Sequence, residues 1–65
     1  MMSQVTQVRM RLLYRVMAAG GNVSKIAREL GVHRTTLWRF LYDNYEPETP
    51  TIRRALGLEE ANAEN

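Results

Sequence analysis

The chain has 65 residues, no cysteine and one histidine. These numbers exclude disulfide staples, thiolate metal centres and histidine-rich metal sites, and leave apolar packing, completed or not by a partner, to hold a single small domain together. The formal charge of +2 conceals an asymmetry: residues 1–42 carry seven basic side chains against Glu29 alone, a net +6, whereas residues 43–65 sum to −4, and a basic body with an acidic tail is the footprint of a nucleic-acid binder.

Taken in chain order, Ser3 is placed to cap a first helix running to about Ala19. Val5, Val8, Leu12, Val16 and Ala19 fall on one stripe of it, widened by Leu13 and Met17. Arg9 projects near that stripe and reads as a guanidinium snorkelling past it; Arg11 and Arg15 lie on another side, within reach of phosphates. Gly20-Gly21 ends the helix and Asn22 suits the cap of the next. There Ile26, Ala27 and Leu30 share one face, with the small Ala27 where two helices cross closely. Gly31 tolerates the positive φ that a tight helix-to-helix turn needs, and Val32 plugs the turn into the core. Leu37, Phe40 and Leu41 rebuild an apolar face on a third helix. Its opposite face carries Arg34, Thr35, Trp38, Arg39 and Tyr42, all residue types that contact bases and phosphates.

After Tyr42 the sequence Asp43-Asn44-Tyr45-Glu46-Pro47-Glu48 reads as a turn-rich connector. Thr49-Pro50 is a cap followed by proline at the first helical position, so a short helix over Pro50–Leu56 is expected, stopped by Gly57. Ile52, Leu56 and Leu58 are its apolar contacts. Residues 59–65 are expected to be an acidic, flexible tail beyond a domain spanning 1–58. With no strand alternation anywhere, the fold class is all-α: a compact bundle of about four helices containing a helix-turn-helix.

Residues 20–42 resemble the helix-turn-helix of the Fis and NtrC family. The matching residues run Gly21-Asn22-Val23-Ser24-Lys25-Ile26-Ala27, then Gly31-Val32-His33-Arg34-Thr35-Thr36-Leu37, about a third of the chain. The small size and the short Pro-initiated helix after the motif look more like phage regulators of the Cro, Ner and repressor type. The resemblance implies that His33, Arg34, Thr35, Trp38, Arg39 and Tyr42 face DNA. The physical case runs alongside it: Arg34 and Thr35 occupy the first turn of the reading helix, the part that enters the major groove, and an Arg there can donate two bonds to guanine. Trp38 has two readings, DNA contact and protein-packing anchor; Tyr42 and Tyr45 have the further reading of packing under the fourth helix. Lys25 and Arg28, on the exposed side of the positioning helix, read as phosphate contacts without sequence information.

The leading expectation is therefore a sequence-specific, double-stranded DNA-binding regulator of the repressor or Cro-like kind, without cofactor, metal or small-molecule ligand. A recombination-directing or architectural DNA binder is an alternative. A protein-interaction module using Trp38, Tyr42 and Tyr45 is a second, and salt dependence separates it from DNA binding. An enzyme is disfavoured, since no Cys, a single His and no paired acids in an apolar region leave little to build a catalytic site from. A homodimer is expected, formed in one version only on DNA, with Leu58 as the candidate partner contact and the first helix around Tyr14 and Arg11 as the fallback. No apolar run reaches the length of a membrane span, the N-terminus lacks the basic-then-apolar pattern of a secretion signal, and the lack of cysteine fits a cytoplasmic protein.

Overall fold

The computed structural model describes residues 2–58; the acidic tail expected over 59–65 lies outside them. Among the described residues there are four α-helices and no strand, in the order α1 (Gln4–Ala18), α2 (Val23–Leu30), α3 (Arg34–Tyr42) and α4 (Pro50–Leu56). The fold is all-α. No helix among the described residues is long and apolar enough to cross a membrane.

The helix starts follow local chemistry. Ser3 Oγ accepts the amide of Thr6 at 3.1 Å and Asn22 Oδ1 accepts that of Lys25 at 3.0 Å, each satisfying one of the unpaired donors of a first turn. Thr49 occupies the same position before α4, yet its side chain makes no capping bond; its carbonyl takes the Arg53 amide at 2.9 Å instead, and Pro50 supplies a preset φ with no donor left to satisfy.

The turn that matters for the site is at Gly31, where φ is +80°. The Gly31 amide donates to the Arg28 carbonyl at 3.2 Å and the Val32 amide to the Ala27 carbonyl at 3.0 Å, so two of the carbonyls of the last turn of α2 are satisfied while the chain reverses. Ala27, only 2% exposed, gives α3 room to cross close to α2.

The core collects Val8, Leu12 and Val16 of α1, Ile26 and Ala27 of α2, and Leu37, Phe40 and Leu41 of α3. Leu56 and Leu58 close it from the C-terminal side, with Ile52 and Tyr45 half-buried against it. Burying a side chain of this kind is worth about 1.5–3 kcal/mol, which is how a chain without cysteines reaches a defined fold.

Three expectations are corrected here, for Leu58, Met17 and Arg9, and the burial of Pro47 was not foreseen. Leu58 is not a surface contact: it is 4% exposed, because the Leu58 amide donates to the Arg53 carbonyl at 2.7 Å and folds the residue after Gly57 back over α4. Met17 does not widen the core stripe and is 69% exposed. Pro47, in the connector, is fully buried, and its carbonyl accepts from the Arg53 guanidinium at 2.9 Å, so the connector is pinned to α4. Arg9 does not snorkel to water. Its Nε donates to the Phe40 carbonyl at 2.7 Å and its guanidinium lies 4.8 Å from the centre of the Phe40 ring, placing a cation on one of the unpaired carbonyls at the C-terminal end of α3.

A Cβ added at Gly31 would meet nothing within 4 Å, so substitution there tests the backbone alone. Gly31→Val is expected to lower unfolding free energy by about 1–3 kcal/mol in urea titrations, and Gly31→Asn by clearly less, since Asn visits the left-handed region more readily. Equal stability of Gly31→Val and the parent chain would show that the turn is not held left-handed.

Candidate nucleic-acid interface

α3 has two faces. Leu37 and Phe40 are wholly enclosed and Leu41 nearly so, whereas Arg34, Thr35, Trp38, Arg39 and Tyr42 are all exposed. At 3.6 residues per turn these five positions fall on one continuous face. No acidic residue occurs between Leu30 and Tyr42, so the face is purely cationic and aromatic.

α3 begins at His33, whose Nδ1 accepts the amide of Thr35 at 3.0 Å. The residue read as facing DNA thus also holds the helix start. Trp38 and Tyr42, one turn apart, touch with ring centres 5.5 Å apart and planes tilted by 53°; they are 49% and 52% exposed. Tyr42 therefore does not pack under α4. Tyr45 does turn inward, and the Arg39 guanidinium lies 4.9 Å from its ring centre, which steadies a long side chain at the edge of the face. The Arg39 carbonyl accepts the amides of both Asp43 and Tyr45, at 2.9 and 3.2 Å, and Asn44 at φ +59° takes the left-handed position that ends α3.

The two positioning-helix cations part company. Arg28 lines a cleft at the helix-to-helix turn together with Ser24, Val32, His33 and Arg34. Lys25 faces the other flank, beside Arg15 and Glu29. Arg15 itself is joined to Glu29 at 2.7 Å, so this cation ties α1 to α2. Both partners are over two-fifths exposed, which keeps the pair a modest contributor to stability. Ser24 and Val23 were not singled out from sequence. Both belong to the first turn of α2, and the signal was their place immediately after the Asn22 cap. Among the described residues no group of three or more His, Cys, Asp or Glu side chains could hold a metal ion.

Two short helices joined through a left-handed glycine, the second lying on the first and turning a cationic face outward, form a helix-turn-helix. Residues 10–40, just under half of the chain, match the family described as bacterial regulatory protein, Fis family. Over those residues the helix-turn-helix is similar to that of Fis-family regulatory proteins, which supports a DNA-binding regulatory role. No curated protein and no solved structure matches the chain.

The double duty of His33 gives a direct check. His33→Ala is expected to cost about 0.5–2 kcal/mol of stability through loss of the cap, and His33→Ser to recover most of it because a hydroxyl can accept the same amide. If both variants melt with the parent chain, the Nδ1 contact is not what starts α3.

Proposed function

We propose that this chain is a sequence-specific regulator that lays α3 in the major groove of double-stranded DNA and acts as a small repressor or Cro-like switch, excluding polymerase from the site it covers. The observation that carries the reading is the single acid-free face of Arg34, Thr35, Trp38, Arg39 and Tyr42, flanked at the turn by Arg28, Ser24 and His33. Arg34, in the first turn, is the residue for guanine O6 and N7. Thr35, Trp38 and Arg39 follow along the groove and Tyr42 at its exit. His33 and Arg28 take phosphate at the turn, and Lys25 takes it on the flank. Duplex contacts of this kind weaken steeply with salt; a protein-docking role for the exposed Trp38–Tyr42 pair would not share that slope.

The same reading calls for two copies, since one short helix reads only a few base pairs. With Leu58 enclosed, the apolar surface left for a partner is the outer side of α1. Met10, Leu13, Tyr14 and Met17 line one recess there. Their spacing is i, i+3, i+4 and i+7, one helical stripe that is symmetric about the midpoint between Leu13 and Tyr14. Two α1 helices crossing antiparallel at that point would bring Met10 of each copy against Met17 of the other, the self-complementary contact a two-fold dimer needs. A helix of 15 residues is about 22 Å long, so this pairing covers far less than the roughly 800 Å² per partner of a stable complex. The copies should pair on DNA, where neighbouring half-sites raise their effective concentration.

Two measurements follow. Arg34→Ala should cost about 1–3 kcal/mol of specific binding and relax preference at one base position, while Arg28→Ala should weaken all sequences alike and lower the salt slope by about one; unchanged selectivity in Arg34→Ala would remove α3 from the groove. Tyr14→Glu, at a position 64% exposed, should leave single half-site affinity intact and abolish cooperative loading of an inverted repeat, read by band-shift titration. Wild-type cooperativity in that variant would move the dimer surface off α1.

A further inference from the structure

At the groove end of the helix pair, Val23 from the first turn of α2 and Arg34, Thr35 and Trp38 from α3 line one recess. Beside Arg34 it is bounded by Val23, half-buried against the core, Thr35 and Trp38. Arg34 contributes the only charged group. The Trp38 indole makes no hydrogen bond among the described residues, and its ring touches that of Tyr42 at 5.5 Å between centres. A large aromatic ring left half in water beside an apolar wall, with no polar partner of its own, offers contact to something apolar.

Resting on the major-groove reading above, we propose that this recess seats the C5-methyl group of a thymine, and that Trp38 is a specificity-determining residue of the half-site. The methyl of thymine is the apolar group that base pairs present in the major groove; adenine and cytosine place amino groups there and guanine two acceptors. An apolar recess therefore selects thymine by welcoming the methyl and by leaving the polar edges of the other bases unpaired. The Thr35 hydroxyl, at the same recess, can donate to O4 of that thymine. Arg34 and Trp38 are four residues apart, about 6 Å along the helix axis, and successive base pairs are about 3.4 Å apart. The thymine thus lies within two base steps of the guanine taken by Arg34. Tyr42 is a positioning residue: it reaches the methyl only through the indole it supports.

The test is deoxyuridine scanning of a duplex selected from a random pool. Replacing thymine by deoxyuridine removes the methyl and nothing else. At one thymine within two steps of the Arg34 guanine, wild-type affinity should fall about fourfold, the worth of one buried carbon. Trp38→Ala should bind the thymine duplex more weakly than wild type, and should bind the thymine and deoxyuridine duplexes equally. Tyr42→Ala should lose part of the discrimination and Tyr42→Phe keep it. If wild type is indifferent to deoxyuridine at every position, or the selected site has no thymine in that window, while Arg34→Ala still relaxes one base, the methyl site is overturned and groove reading stands. If wild type selects no sequence and Trp38→Ala binds duplex as wild type does, both fall and the aromatic pair belongs to a protein partner.

Discussion

The geometry of the site depends on how the chain reverses at Gly31. Three residues separate two helices that must cross closely, and only a left-handed residue lets the Gly31 and Val32 amides turn back onto α2. Ala27 serves this reversal twice. Its carbonyl accepts the Val32 amide, and its methyl, almost fully enclosed, sets how near α3 can approach. A larger side chain there would push the reading helix outward. Everything exposed on α3 inherits its direction from this one crossing, because the buried face of a nine-residue helix fixes the orientation of the opposite face.

Packing holds α3 through Leu37, Phe40 and Leu41, in its middle and C-terminal half. Arg9 adds a polar anchor there. It crosses from α1 to the Phe40 carbonyl, so the C-terminal turn of the reading helix is held by a charge-assisted bond in a partly buried setting, where such a bond outweighs a neutral one in water. His33 at one end and Arg9 at the other therefore fix α3 along its length without using any of the five side chains it exposes. The interface is preorganised: ordering costs that a floppy helix would meet on binding are met in folding.

Most of this was legible in the sequence, and the failures have physical causes. Helix limits, the Ser3 and Asn22 caps and the crossing at Ala27 follow from local rules and emerged as read, whereas Thr49 makes no capping bond and the cap of α3 is His33, which was not read as one. The misjudged Leu58 obeys a rule that was available. Gly31-Val32 and Gly57-Leu58 are the same pattern, a left-handed glycine followed by an apolar residue that folds back onto its own helix, and only the first was read that way. Arg9 and Pro47 differ in kind. The partner of Arg9 is a backbone carbonyl 31 residues away, and carbonyls carry no sequence signature. Pro47 is enclosed although its neighbours spell a turn, because the connector has to cover the base of α4. Arg15 was read by its charge, yet Glu29, its partner across the helix pair, was visible only as the lone acid of the basic half.

That last pairing shows how the basic excess is divided. Of the seven cations in residues 1–42, Arg9 is committed to the end of α3 and Arg15 to Glu29, and Arg39 rests on Tyr45. Arg11, Lys25, Arg28 and Arg34 make no ion pair among the described residues. On the proposed groove reading, the phosphates one copy can neutralise are set by these side chains together with Arg39 and not by net charge. On that reading selectivity comes from the exposed face of α3, where Trp38 and Tyr42 are 49% and 52% exposed. A binder with few electrostatic anchors and an apolar contribution would have a shallower salt dependence than one with many, and would discriminate by shape and methyl pattern.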